Sequence, residues 1–212
     1  MEQFTRRERE KKVREEEIIA AAKKIFFEKG FHDTSMDEIA KASQFSKKTL
    51  YQYFKSKEDL FLTVAAREFK MVMAYFKTGI KSETTGLEKI RLLSEAYYAY
   101  YKDFPQSFSL MNYCQFIQAP RENLSHYNEV TELRKNLFQD FADVIEEGKA
   151  DGSIRKDLNT KDTVISLFML ITGFFSRFAE LGKVNIDWDN TDYERFVSLT
   201  LDLIEHAVIA DK

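Results

Sequence analysis

The sequence predicts an all-α protein of about nine helices. Three observations carry that expectation. Gly (7) and Pro (2) are scarce in 212 residues, too few for the tight turns of sandwiches, barrels or doubly wound sheets. Apolar residues recur at helical rather than alternating spacing. Capping signals precede most of the apolar segments.

The elements follow in order. The charged run from Arg6 to Glu17 interleaves both signs, which supports i,i+4 pairing in a solvated helical extension, or else forms a basic arm. Ile18, Ile19, Ala22, Ile25 and Phe26 lie on one face of the first clear helix, which Gly30 closes. Ser35-Met36-Asp37-Glu38 is a capping box for a short second helix ending near Ala42, with Ile39 and Ala40 inward. Four residues, Ser43 to Phe45 and the N-cap Ser46, turn the chain into a third helix from Lys47 to Phe54. Ser56 to Asp59 caps a long fourth helix reaching about Lys77.

Thr85-Gly86-Leu87-Glu88 opens a fifth helix to about Phe104. Pro105 punctuates it, and a sixth helix follows to about Ile117. Helices from Tyr127 to about Ala150 and from Thr160 to Leu181 come next. Thr191 to Glu194 caps the last, expected to reach about Ala210. The chain is expected to divide into residues 1–58 and 59–212 without a flexible linker.

Charge distinguishes the two parts. Residues 1–58 hold 14 Lys/Arg against 11 Asp/Glu, whereas 59–212 hold 18 against 24. A basic small segment beside an acidic larger one suggests a polyanion partner for the first. The second and third helices with their four-residue turn have the spacing of a helix-turn-helix, whose second helix can enter a major groove. From Ser46 to Lys57 there are four Lys and no acid, the cation excess that neutralising phosphates requires. Hydroxyls at Thr34, Ser46, Thr49, Tyr51 and Tyr53 can bond phosphate oxygens. Leu50 and Phe54, four residues apart, are expected to anchor the helix inward. An ordinary helical hairpin with a lysine-rich solvated face has the same local pattern.

Phe27-Glu28-Lys29-Gly30-Phe31, Thr34 to Ala40, and Ser46-Lys47-Lys48-Thr49-Leu50-Tyr51-Gln52-Tyr53-Phe54-Lys55-Ser56-Lys57-Glu58-Asp59-Leu60 together resemble the TetR (tetracycline-repressor) family of bacterial transcription regulators. Gly148 to Arg155 is similar to a segment common before that family's eighth helix. The resemblance implies a three-helix DNA-binding head, a helical ligand-binding and dimerisation body, and a homodimer formed mainly by the last two helices. It implies a repressor released from an inverted-repeat operator in double-stranded DNA by a small-molecule effector. Matching positions imply DNA contacts from Thr34, Ser46, Lys47, Thr49, Tyr51, Gln52, Tyr53 and Lys57. Two positions depart from the family pattern. Gln44 stands in the turn where Gly is frequent, which carries a steric cost if φ is positive. Lys48 stands where Gly is also frequent, and can reach a phosphate or a guanine edge.

The larger part is rich in aromatics, which serve either a pocket or the core. Candidates for an apolar or aromatic effector pocket are Tyr97, Tyr101, Phe108, Met111 and Phe138, with Phe141, Phe168 and Phe175. Asn112 and Gln115 are its candidate polar contacts. No basic cluster accompanies them, which disfavours a strongly anionic ligand. The helix from Thr160 to Leu181 is apolar around most of its circumference and must be buried on several sides. A two-fold interface with the last helix would achieve this, through Phe168, Phe175, Phe178, Phe196 and Leu203; a central helix in a monomer is the other solution.

No enzymatic constellation emerges. His32 and His126 read as helix-end and solvated residues and His206 as a surface or interface residue, and Cys114 has no local His. No metal-spaced ligand set or phosphate-cradling glycine loop is present, so no metal or cofactor is expected. The N-terminal residues lack a signal-peptide stretch, no apolar run reaches ~18 residues, and the lone Cys fits a reducing compartment; a cytoplasmic protein without a membrane partner is the expectation. A helical protein-interaction module is the alternative function.

Overall fold

The computed structural model describes residues 5–79, 84–113, 126–181 and 193–210. Among these residues there are nine α-helices: α1 (Arg6–Lys29), α2 (Met36–Ala42), α3 (Lys47–Tyr53), α4 (Lys57–Gly79), α5 (Gly86–Asp103), α6 (Pro105–Tyr113), α7 (Tyr127–Asp151), α8 (Thr160–Leu181) and α9 (Tyr193–His206). The all-α expectation is met. Two compact units divide the chain, Met1–Phe69 with Leu110–Glu132, and Lys70–Ser109 with Leu133–Lys212.

In the first unit, the charged run is helical and continuous with the apolar part of α1. Thr5 caps it and forms a capping box with Glu8, while Gly30 ends it at φ 78°. Ile18, Ile19, Ala22, Ile25 and Phe26 are buried as their spacing predicts, whereas residues 5–14 are exposed throughout. Ser35 and Glu38 form the capping box of α2, and Ser46 accepts the Thr49 amide at the start of α3. Helix α2 packs on both α1 and α3. Leu50, Phe54 and Ile39 are fully buried and Ala40 is buried, so α3 is anchored by the i,i+4 pair that its sequence predicts.

In the second unit, α5 packs on α8 and α9. Gly86, at the first turn of α5, meets Gly148 of α7 so closely that a Cβ on Gly86 would lie 2.3 Å from the Gly148 Cα. Two glycines allow the backbones that approach. The Gly86 amide donates to Asp151 Oδ2 at 2.8 Å and the Leu87 amide to Ser153 Oγ at 3.1 Å, so the end of α7 caps the start of α5.

Helix α9 stops at His206, short of the expected Ala210. Residues beyond it leave the helix to pair with the turn after α7: Arg155 N donates to Val208 O and Ala210 N to Ser153 O. Ile154 and Val208 are both buried there, and their burial outweighs one further helical turn. The caps expected at Thr191 and Asp192, and Cys114, lie outside the described residues.

Helix α8 is, by length and composition, apolar enough over Thr160–Ala179 to cross a membrane. The expectation counted unbroken apolar residues, and Ser166, Thr172, Gly173 and Ser176 interrupt the run at little cost in hydropathy. Val164, Leu167, Ile171 and Phe175 are buried, but Ile165, Met169 and Leu170 are exposed.

Candidate nucleic-acid interface

The head presents α3 on a small, tightly fixed frame. Ser46 Oγ accepts the Thr49 amide at 3.0 Å and lies 2.8 Å from the Thr49 hydroxyl. Lys47 donates to Asp37 Oδ2 at 2.8 Å, tying α3 to α2 across their exposed sides; this hydrogen bond holds the Lys47 ammonium above its ordinary pKa. Lys48 is exposed and makes no ion pair among the described residues. Tyr51 is 48% exposed, Gln52 is exposed, and Tyr53 is half-buried. The side of α3 opposite Leu50 therefore gathers hydroxyl, amide and ammonium groups, which together can bond base edges and phosphates.

Gln44 adopts φ 60°, a left-handed conformation that carries the steric cost expected there. Its amide donates to Lys41 O, and the Phe45 amide to Ala40 O, so the turn closes α2 in the manner of a left-handed C-cap.

Two of the predicted contact residues face inward. Thr34 is buried, and its hydroxyl donates to Gly30 O at 2.6 Å. Lys57 donates to Phe31 O and Thr34 O, both at 2.8 Å, and its ammonium sits 4.2 Å from the Phe31 ring centroid. These residues join the α1–α2 loop to the first turn of α4. Residues 31 and 57 are too far apart in sequence for periodicity to have indicated this role.

The same loop carries a second polar link that the sequence did not reveal. His32 Nε2 hydrogen-bonds the Tyr113 hydroxyl, and the Tyr113 ring stacks on Phe31 at 5.2 Å. His126, expected to be solvated, instead reaches Thr63 Oγ1 at 2.9 Å through Nδ1, near buried Asp59. His206 Nδ1 lies 2.8 Å from Asp202 O on α9.

The second unit sorts the candidate pocket residues. Tyr97, Phe108 and Phe175 are buried and pack on one another at 4.9 to 5.8 Å. Tyr101 is half-buried against Phe175 and Phe178. Phe138 and Phe168 pair at 4.8 Å. Met111 is buried in the first unit. Gln115 and the side chain of Asn112 lie outside the described residues.

One cavity of about 260 Å³ lies among α4, α5 and α7, with Met73, Phe76, Leu93, Leu137 and Phe141 as apolar walls and Lys77 and Lys89 among its polar ones. Another, of about 280 Å³, lies between α5 and α9, where Tyr98 meets Glu95, Glu194 and Arg91. Burial and a hydrogen bond to Glu194 push the Tyr98 phenol up to about 12. Among the described residues, Phe141 is the only predicted pocket residue that lines either cavity.

Of the predicted interface residues, Phe175 is fully buried within its own chain, Phe168 and Phe178 are half-buried, and Phe196 and Leu203 are exposed. Met169 and Leu170 on α8 and Leu199 on α9 are exposed as well.

Residues 18–64, which run from the buried face of α1 into α4, match the model of bacterial regulatory proteins of the tetR family. Over this segment the chain is similar to the TetR family. Among its relatives, the HTH-type transcriptional activator FasR of Mycolicibacterium smegmatis is 28% identical over 105 residues, 50% of this chain and 48% of that protein. The chain thus spans about half the length of this relative. The fatty acid metabolism regulator protein of Bacillus subtilis is 23% identical over 72% of this chain and 77% of its own length. The fold of the chain is also that of the transcriptional regulator FadR from Bacillus subtilis, solved in complex with stearoyl-CoA. That structure has a TM-score of 0.69 and 21% identity, covering 89% of this chain and 96% of the other.

Proposed function

We propose that the protein is a ligand-responsive, sequence-specific DNA-binding transcriptional regulator, a repressor released from its operator by a small apolar or aromatic effector. The observation that carries this reading is the solvent-facing side of α3, where Ser46, Lys47, Lys48, Thr49, Tyr51, Gln52 and Tyr53 are held by the buried pair Leu50 and Phe54. Thr34 and Lys57 support it from behind by fixing the loop that carries α2. Residues 1–58 act as the reading head and 59–212 as the effector and dimerisation body.

The protein works as a homodimer in the cytoplasm. The uncovered apolar residues of α8 and α9 support a two-fold pairing through those helices. Each α3 enters a major groove, with half-sites one turn, ~34–36 Å, or a multiple apart. The cavity walled by Phe76, Leu93 and Phe141 supports an apolar effector, as does the acyl ligand held by the related FadR. The effector shifts the heads only as far as its affinity differs between the bound and released states.

Selection from a random duplex library at ~150 mM salt tests this reading, since binding through phosphates falls steeply with salt. Recovery of an inverted repeat is the expected result. A protein that still recovers none after unfolding, ligand stripping and refolding is not a DNA-binding regulator. Release of the recovered duplex is then measured with fatty acids, acyl-CoA esters and aromatic compounds.

A further inference from the structure

We propose that the exposed N-terminal stretch of α1, residues 6–14, is a second DNA-binding element, which grips the phosphate backbone of duplex flanking the half-site read by α3. The proposal rests on the DNA-binding reading above and goes beyond it, because the family match begins only at Ile18.

Its charge is uneven. Residues 5–14 carry six Lys/Arg and two Glu, and the acidic triplet Glu15 to Glu17 falls where the arm joins the packed part of α1. The carboxylates of the arm are occupied. Glu8 closes the capping box with Thr5, which holds its carboxyl below the ordinary range. Glu10 accepts from Arg6 at 2.9 Å. At the base, Glu16 is held by both terminal nitrogens of Arg67, at 2.5 and 2.7 Å. Among the described residues, Arg9 and Arg14 make no ion pair.

The arm's position adds to its charge. An open groove of about 440 Å³ is lined by Arg6, Arg9, Val13 and Arg14, with Glu10, Glu17 and Phe45. Phe45 immediately precedes Ser46, the N-cap of α3. The arginines of the arm and the entrance to the reading helix therefore border one surface of the same unit. Guanidinium groups bind phosphate in a fork. Val13 and Phe45 give the deoxyribose an apolar contact, and Val13 is 56% exposed. A polyphosphate strand is the occupant that uses both features.

The test compares the full-length protein with its Arg6→Gln/Arg9→Gln/Arg14→Gln variant. Gln keeps helix propensity, and all three sites are exposed. Lys11→Gln is the comparison, since Lys11 lies two residues from Arg9 and so about 200° around the helix. Binding is measured against salt on the recovered repeat carrying ~10 extra base pairs on each side, enough for about one further turn, and on the repeat trimmed to its ends.

On the long duplex, the triple variant is expected to bind at least about tenfold more weakly, with a log–log salt slope shallower by about 0.9 for each phosphate no longer neutralised. On the trimmed duplex the difference shrinks, and Lys11→Gln changes little on either. Wild-type binding that the triple variant reproduces in affinity and slope overturns the arm while leaving α3 as the reader. An equal loss per charge from Lys11→Gln reduces the arm to a general field and overturns the grip. A wild-type protein that binds neither duplex removes the DNA-binding reading and this inference with it.

Discussion

The Lys57 ammonium lies 4.2 Å from the centroid of the Phe31 ring while donating to the Phe31 carbonyl at 2.8 Å. One side chain thus fixes both the backbone and the ring of a loop residue, and through Thr34 O it also fixes the residue before the α2 cap. Phe31 in turn packs edge-on against Phe61 of α4 at 5.0 Å. The geometry of the head depends on this junction as much as on α3 itself.

Replacing Lys57 by Met keeps the aliphatic stem and removes the three donors. Hydrogen bonds from a charged group contribute about 1.5–3 kcal/mol, so a loss near 2 kcal/mol is expected in denaturant unfolding. Tyr51→Ala, by contrast, is expected to weaken operator binding without moving the unfolding midpoint. An unchanged midpoint for Lys57→Met would show that water replaces the ammonium without cost.

Gln44 at φ 60° bears a cost that glycine escapes. The left-handed region costs a non-glycine residue about 1–2 kcal/mol, and glycine gives part of this back through its unfolded-state entropy. Gln44→Gly is therefore expected to stabilise the protein by about 0.5–1 kcal/mol. Thermal unfolding checks the sign; a lower Tm would mean that the Gln44 side chain supplies a stabilising contact of its own.

The helix crossing at Gly86 gives an ordered pair of outcomes. A Cβ on Gly86 would meet the Gly148 backbone at 2.3 Å, whereas one on Gly148 would meet the Ile154 side chain, with its Cδ1 at 2.4 Å. Backbone cannot yield as a side chain can. Overpacking costs about 1–3 kcal/mol, and Gly86→Ala is expected at the top of that range or above it, with Gly148→Ala below. The reverse order in denaturant unfolding would require α5 to move as a whole.

Leu203→Glu places a charge on the exposed surface of α9 and is expected to halve the mass seen by light scattering while leaving helical content unchanged. Phe175→Asp buries a carboxylate in the aromatic core and is expected to unfold the chain instead. A dimeric mass for Leu203→Glu would move the pairing surface elsewhere.

Acid sensitivity should appear at the α2 cap. Lys29 first, then the Ser35 amide and hydroxyl, hold the Glu38 carboxyl down at about 2, against an ordinary value of 4.5. The unfolded chain binds this proton more readily, so the contribution is complete above about 4.5 and is lost as pH falls toward about 2. Glu38→Gln is expected to flatten the stability profile across that window. A profile parallel to the wild type would assign the acid response to other carboxylates.

Much of the helical order was legible because caps and periodicity act within a few residues. Ser35, Ser46 and Thr85 sit where the sequence puts them, and Leu50 and Phe54 are buried as their spacing requires. Relations across long stretches of chain were not legible. The aromatic pattern at Tyr97, Phe108 and Phe175 fits a cavity wall and a packed core equally well, and only the ring separations decide for packing. Thr34 and Lys57 belong to a motif defined by residue types, but their side chains are spent on the loop behind it. The end of α9 is not legible in the sequence because the partner of Val208 lies in the distant turn at Ser153 to Arg155.

Helix α1 runs without a break from its Thr5 cap to Gly30. Its 24 residues make a spar roughly 36 Å long at 1.5 Å per residue. Many charged tails are floppy and must surrender conformational freedom when they meet a polyanion, which dilutes what each charge contributes. Here that freedom is given up during folding, and each cation leaves the packed part of the helix at a set bearing. Preorganisation of this kind conserves binding free energy. A single Gly or Pro placed between the arm and Ile18 would keep every charge and yet forfeit the advantage.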